Sequence, residues 1–213
     1  MKTILFDWNG TLLDDLAISM DSMNQVLKRR KMKIMQSVEE YRSIFGFPVK
    51  DYYEKLGFDF TKESFEAISV EFMDYYMSHY QSAKLAKEAE KLIFKLKQQG
   101  NRCVILSASR QSNLLNQTDY YQCTQWFDDV VGIDDIYAAS KIEAAKNWIK
   151  NHCDENEELV FIGDTLHDKE TAEAIGARCI LVASGHQSRE RLLKANVLVV
   201  DRLEELYSIL VNS

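Results

Sequence analysis

The sequence is poor in proline: Pro48 is the only one in 213 residues. It shows no internal repeat, no low-complexity segment and no flexible linker, so repeat arrays and tethered modules are set aside. Cysteine is sparse too. Cys103, Cys123, Cys153 and Cys179 are widely spaced and form no CxxC pair, which points to buried free thiols in a reducing compartment. No apolar run approaches membrane-spanning length, and Lys2 precedes only three strongly apolar residues, far short of a signal-peptide core. Positive charge is not in excess: the net charge of −7 argues against a general nucleic-acid binder. A cytoplasmic protein with no nucleic-acid and no membrane partner is expected.

What the chain does have is an ordinary globular composition, 46% hydrophobic and 28% charged, and enough length for one good core plus a smaller satellite domain. Its organising stretch lies at the start. Ile4, Leu5 and Phe6 form a short apolar run that reads as a buried parallel strand, and Asp7 follows at once. In open α/β sheets ligands bind at that carboxyl edge. Gly10 permits a sharp turn, Thr11 supplies a hydroxyl, and Asp14 or Asp15 can cap a helix that starts near Leu16.

From there the rhythm is helical. Leu16, Met20, Met23 and Leu27 make one amphipathic stripe, closed by the basic run Lys28–Lys31 and Lys33, which suits a helix C-terminus. Ser37 opens a short helix that Gly46-Phe47-Pro48 breaks, a further one reaches Gly57, and a longer one carries Phe65, Ile68, Phe72, Tyr75 and His79 on one face. Twelve of the 23 aromatics fall within residues 41–80, enough for a small helical core of their own, with His79 expected to pack inside it. After Ala83, helices alternate with apolar strands at Cys103–Leu106, Val130-Val131, Leu159–Ile162, Cys179–Val182 and Val197–Val200, and a helix over Leu203–Leu210 ends the chain. This predicts a Rossmann-like α/β core, a doubly wound parallel sheet built from residues 1–15 and 83–213. An all-helical domain, residues 16–82, is inserted into it.

Strand ends then deliver Asp7, Ser107, Lys141 (after a loop) and the pair Asp164 and Asp168 to one edge. Taken singly, each has a plain explanation as a helix cap, a solvated lysine or a turn residue. Together they can work. Three crowded carboxylates repel unless a hard cation sits among them, and Mg²⁺ prefers such oxygen ligands. Lys141 and Ser107 can hold a phosphoryl group, which leaves Asp7 as nucleophile.

Asp7-Trp8-Asn9-Gly10-Thr11, Ser107, Lys141 and Gly163-Asp164-Thr165-Leu166-His167-Asp168 resemble, in order, the four motifs of the haloacid dehalogenase superfamily of hydrolases. The resemblance covers essentially the whole chain. It implies that the helical insertion is a cap closing over the substrate, and Phe45-Gly46-Phe47-Pro48 resembles a cap loop of phosphoglycolate-phosphatase-like members. It further implies an aspartyl-phosphate on Asp7 and Mg²⁺ held by Asp7, Asp164 and the main-chain carbonyl of Asn9, with Asp168 in support. A small phosphorylated metabolite is then the substrate, and a monomer or homodimer the assembly.

One position departs from that pattern. Phosphatases of the family carry an aspartate two residues after the nucleophile, as proton donor and water activator, and this chain has Asn9. The exchange keeps a backbone ligand but loses the proton shuttle. It leaves open a phosphonatase-like carbon–phosphorus hydrolase, which would need a cap lysine such as Lys50, and a phosphate-binding regulatory protein without turnover. A receiver domain is rejected by motif order and by the insertion.

Overall fold

The run Ile4-Leu5-Phe6 lies in β1 (Lys2–Phe6), an interior strand of a six-stranded parallel sheet. The computed structural model describes residues 2–133 and 140–211; the loop expected before Lys141 lies outside them. The other strands are β4 (Arg102–Arg110), β5 (Asp129–Ile133), β6 (Glu158–Gly163), β7 (Arg178–Val182) and β8 (Leu198–Val200), in the spatial order β5-β4-β1-β6-β7-β8. The expected α/β class is what the chain adopts.

Both faces of the sheet are covered, as near-continuous apolar strands require. Ile4 and Phe6 pack with Leu92, Ile93 and Leu96 of α5 (Ala89–Gln98). Leu5 points the other way, into a cluster with Trp148 of α7 (Lys141–His152) and Ala172 of α8 (Leu166–Ala174). Side chains this deeply buried contribute roughly 1.5–3 kcal/mol each. The remaining core helices are α6 (Gln111–Tyr120) and the short α9 (Arg189–Leu192).

Between β1 and β4 the chain runs through α1 (Leu16–Arg29), α2 (Val38–Ile44), α3 (Val49–Lys55) and α4 (Phe65–His79). Of the α1 stripe, Leu16, Met23 and Leu27 are buried, against Tyr41, Tyr52, Tyr53 and Ile68. Ser37 caps α2 by accepting from Glu40 N. Beyond α1, Arg30 reaches α4 and its approach, donating to Glu63 and Glu71. Where the insertion joins the sheet, Leu13-Asp14 (β2) pairs antiparallel with Lys84-Leu85 (β3).

Four expectations need correction. His79 is exposed, stacked on Tyr75 at 4.1 Å; Tyr76, one turn on from Phe72, takes the buried place. Asp15 stands at the N-cap position of α1 without capping it, because its carboxylate is engaged elsewhere. β4 continues through Ser107 to Arg110 rather than ending at Leu106. The last segment is a 3₁₀ turn over Leu203–Glu205 followed by a π-type turn over Tyr207–Val211. Leu203, Leu206 and Leu210 are buried all the same. Among the described residues no helix is long and apolar enough to cross a membrane.

Candidate active site

β1 and β6 are neighbours, yet the chain leaves β1 towards β4 on one side and leaves β6 towards β7 on the other. Such a reversal opens a crevice at the carboxyl ends of the two strands. Asp7 and Asp164 stand there. Asp7 extends the pairing by one step, its N–H donating to Ile162 O at 2.8 Å. Gly10 has φ +75° and lies so close to Asp164 that a Cβ would collide with the carboxylate. A larger residue would therefore be strained twice over.

Asp168 sits in the first turn of α8 and forms a capping box with Thr165. Its Oδ2 accepts from the main-chain N–H of Asp164 and Thr165 and from the Thr165 hydroxyl; its Oδ1 accepts from Lys141 Nζ at 2.6 Å. The same ammonium donates to Asp7 Oδ1 at 2.6 Å and is sealed from solvent. Asp164 accepts from the Thr11 hydroxyl at 3.1 Å and from His186 N–H at 2.6 Å. Ser107 is buried where the β4–β5 register slips, and its Oγ accepts from Ser109 N–H at 3.1 Å, which leaves its own proton to donate. The structure thus brings Asp7, Asp164, Asp168 and Lys141 into one buried cluster, and Ser107 lines the same cavity.

One oxygen from each of Asp7, Asp164 and Asp168 lies within 4.8 Å of the others. Burial, with the repulsion of Asp168 and Asp164, pushes Asp7 up to about 8 despite Lys141. Burial and Asp168 raise Asp164 to about 6, against the pull of His186. Burial also works against Asp168, but Lys141 and Thr165 outweigh it and hold that carboxyl low. When all three are ionised, three carboxylates against one ammonium leave two negative charges, the complement of one divalent cation. A set of hard carboxylate oxygens is the donor chemistry such a cation takes. The residues present therefore fit a Mg²⁺ ion.

A second buried network surrounds Asn9. Its Nδ2 donates to Asp15 Oδ2 and to Tyr76 Oη, both at 2.8 Å, and its Oδ1 accepts from the Ser109 hydroxyl at 3.0 Å. Asp15 also accepts from Gly10 N–H, the Tyr76 hydroxyl and His186 Nε2. Burial alone would lower His186, but Asp15 more than compensates and raises it to about 9. With both ring nitrogens protonated, Nδ1–H points to Tyr41 Oη at 2.8 Å.

Above these groups is a cavity of about 230 Å³, bounded on the far side by the helical insertion. The insertion is docked onto the sheet edge. Arg42 donates to the Gly185 and Ser184 carbonyls, and Arg191 to those of Arg42 and Phe45. Phe47 stacks on His167 at 4.6 Å. Lys50 is exposed, with its ammonium over the Phe60 ring at 5.3 Å, and does not line the cavity.

Sequence reading missed Asp15 as a buried site residue, and missed His186, Tyr41 and Tyr76. The available signal was Gly185-His186 in the loop that follows β7, which leaves the sheet at the same edge as Asp7 and Asp164.

Comparison with known proteins gives a consistent result. Residues 4–182 match the model of the haloacid dehalogenase-like hydrolase family. Phosphoglycolate phosphatase 1 of Pseudomonas aeruginosa is 24% identical over 220 residues, spanning 96% of this chain and 78% of that protein. Phosphoglycolate phosphatase of Aliivibrio fischeri is 23% identical over 225 residues, spanning 99% and 96%. Among solved structures, a haloacid dehalogenase-like hydrolase from Streptococcus pneumoniae superposes with a TM-score of 0.84 at 18% identity, covering 98% of each chain. A predicted phosphatase from Clostridium acetobutylicum gives 0.83 at 21%, covering 100% of this chain and 99% of that one. At those identities the structural likeness speaks for the fold.

Proposed function

The chain belongs to the haloacid dehalogenase-like hydrolases, and from that membership we propose that it is a Mg²⁺-dependent phosphatase of small phosphorylated metabolites that works through an aspartyl-phosphate on Asp7. The observation that carries the reading is the buried cluster in which Lys141 bridges Asp7 and Asp168 beside Asp164, at the floor of a cavity.

Asp7, Asp164 and the main-chain carbonyl of Asn9 would hold the ion, with Asp168 in support. When bound, it supplies Lewis-acid neutralisation of the phosphoryl charge. The protein does the rest. Asp7 presents one carboxylate oxygen to phosphorus while Lys141 fixes the other. The Asp7–phosphorus bond forms as the ester bond breaks, and the leaving oxygen departs with the bonding pair. Ser107, with its donor proton free, holds a phosphoryl oxygen. Water then attacks phosphorus, and Asp7 leaves as carboxylate. Asp168 acts by position: it holds Lys141 and the turn that carries Asp164. The helical insertion, residues 16–82, serves as a cap that excludes water from the reaction.

This reading is tested by phosphate release from a metabolite panel in metal-free buffer, with and without added Mg²⁺. Turnover that vanishes with chelator and returns with Mg²⁺ is the expected outcome. Equal turnover under both conditions would sink the metal assignment. The carbon–phosphorus alternative draws no support from Lys50, which is turned away from the cavity.

A further inference from the structure

The wall of the cavity opposite the acids is aromatic. Phe45, Phe47, Tyr52, Tyr53, Phe72 and Tyr76 all face the space. Among the described residues no arginine lines it, and the one lysine that does is Lys141, already bound to Asp7 and Asp168. Among the described lining residues each of the two imidazoles already has a carboxylate partner. His186 lies between Asp15 and Tyr41, while His167 lies flat on Phe47 with Nδ1 turned to Glu170 at 3.2 Å.

A phosphoglycolate molecule would press its carboxylate against this wall. There it would shed water and meet no free cation, the kind of mismatch by which a site rejects a ligand. An uncharged ring meets the opposite situation, since it trades water for aromatic contact. An apolar cavity of about 150 Å³ suffices to hold benzene, so 230 Å³ has room for one ring with its phosphoryl group.

A second feature points the same way without involving the wall. The position from which a proton would reach the leaving oxygen holds Asn9, whose amide protons are given to Asp15 and Tyr76. A phenolic oxygen departs as a stabilised anion and needs such a proton far less than an alkoxide does. On the premise that the site is a phosphatase, we propose that its substrate is a monoester of phosphoric acid whose leaving group is a single uncharged aromatic ring.

The test compares kcat/KM for four esters, by inorganic phosphate release with Mg²⁺ present. Benzyl and butyl phosphate both expel alkoxides, so their ratio reads the wall alone; benzyl is expected to lead by about tenfold or more, mostly through KM. Phenyl phosphate is expected to exceed phosphoglycolate by about a hundredfold or more, the combined effect of ring and leaving group. Met73 lines the same wall and is 36% exposed, so Met73→Lys supplies the missing cation at the solvent side. That variant should raise phosphoglycolate turnover relative to phenyl phosphate by about fivefold. Equal constants for benzyl and butyl phosphate, or phosphoglycolate as the best of the four, would overturn the substrate class and leave the phosphatase reading standing. Release from none of them would overturn the phosphatase reading and this inference with it.

Discussion

Asn9 sits in surroundings made for an amide: it gives two protons to acceptors and takes one from Ser109. A carboxylate in its place would set oxygen against Asp15 Oδ2, buried, at about the present 2.8 Å. Two carboxyls that close hold one proton between them. Asn9→Asp is therefore expected to lower Tm, by on the order of 1–3 kcal/mol of stability, while gaining a proton to donate. General acid catalysis is worth about 10²–10⁴ in rate, so the variant should recover much of that for butyl phosphate and little for p-nitrophenyl phosphate. Equal gains on both esters would show that protonation of the leaving group is not what Asn9 lacks. Asp7 makes the complementary case. Asp7→Asn should abolish phosphate release yet leave the metal-free Tm unchanged or higher, because it removes one of three carboxylates that face a single ammonium. A marked fall in Tm together with retained turnover would contradict both roles.

Between elements, the clearest electrostatic tie is Arg30, which joins the end of α1 to Glu63 and Glu71. Its hydrogen bonds hold Glu63 below the usual glutamate range. Burial pushes Glu71 up, but Arg30 and Arg29 outweigh it and hold that group low as well. Both carboxyls are thus depressed on folding. The stabilisation is present above the ordinary glutamate pKa of about 4.3 and is lost as pH falls through the depressed folded values. Arg30→Met should cost roughly 1 kcal/mol at pH 7, with the Tm gap to the parent closing towards pH 3. A gap that persists there would mean the arginine acts by packing, over the Phe58 ring at 5.8 Å. The sequence announced these helices through their spacing, and it erred where spacing is ambiguous. Along α4 the inward line runs Ile68, Phe72, Tyr76, and the competing line through Tyr75 to His79 turns out to solvent. The two-residue β2 and β3 are too short to leave any pattern.

Across the whole molecule, what could be read from the chain was what each strand end carries by itself: Asp7, Ser107, Lys141, Asp164 and Asp168 each follow a local apolar run or open a helix. What could not be read was contact between distant segments. Asp15 and His186 are 171 residues apart, and Tyr41 and His186 are 145 apart. No periodicity encodes such pairs; the core fold brings the first together and the docked insertion the second. Its attachment can be measured. Arg191→Ala removes two hydrogen bonds to the insertion, so amide exchange over residues 42–47 should speed up while β1 and β6 stay protected. Uniform acceleration across the sheet would show that Arg191 supports the core instead. The manner of that docking has a consequence over evolutionary time. Arg42 and Arg191 grip main-chain carbonyls, of Ser184, Gly185, Arg42 and Phe45. Every residue type offers a carbonyl. Phe45 can therefore be exchanged by drift without loosening the latch, and a lineage built this way can remodel the wall of its cavity while keeping the two parts docked.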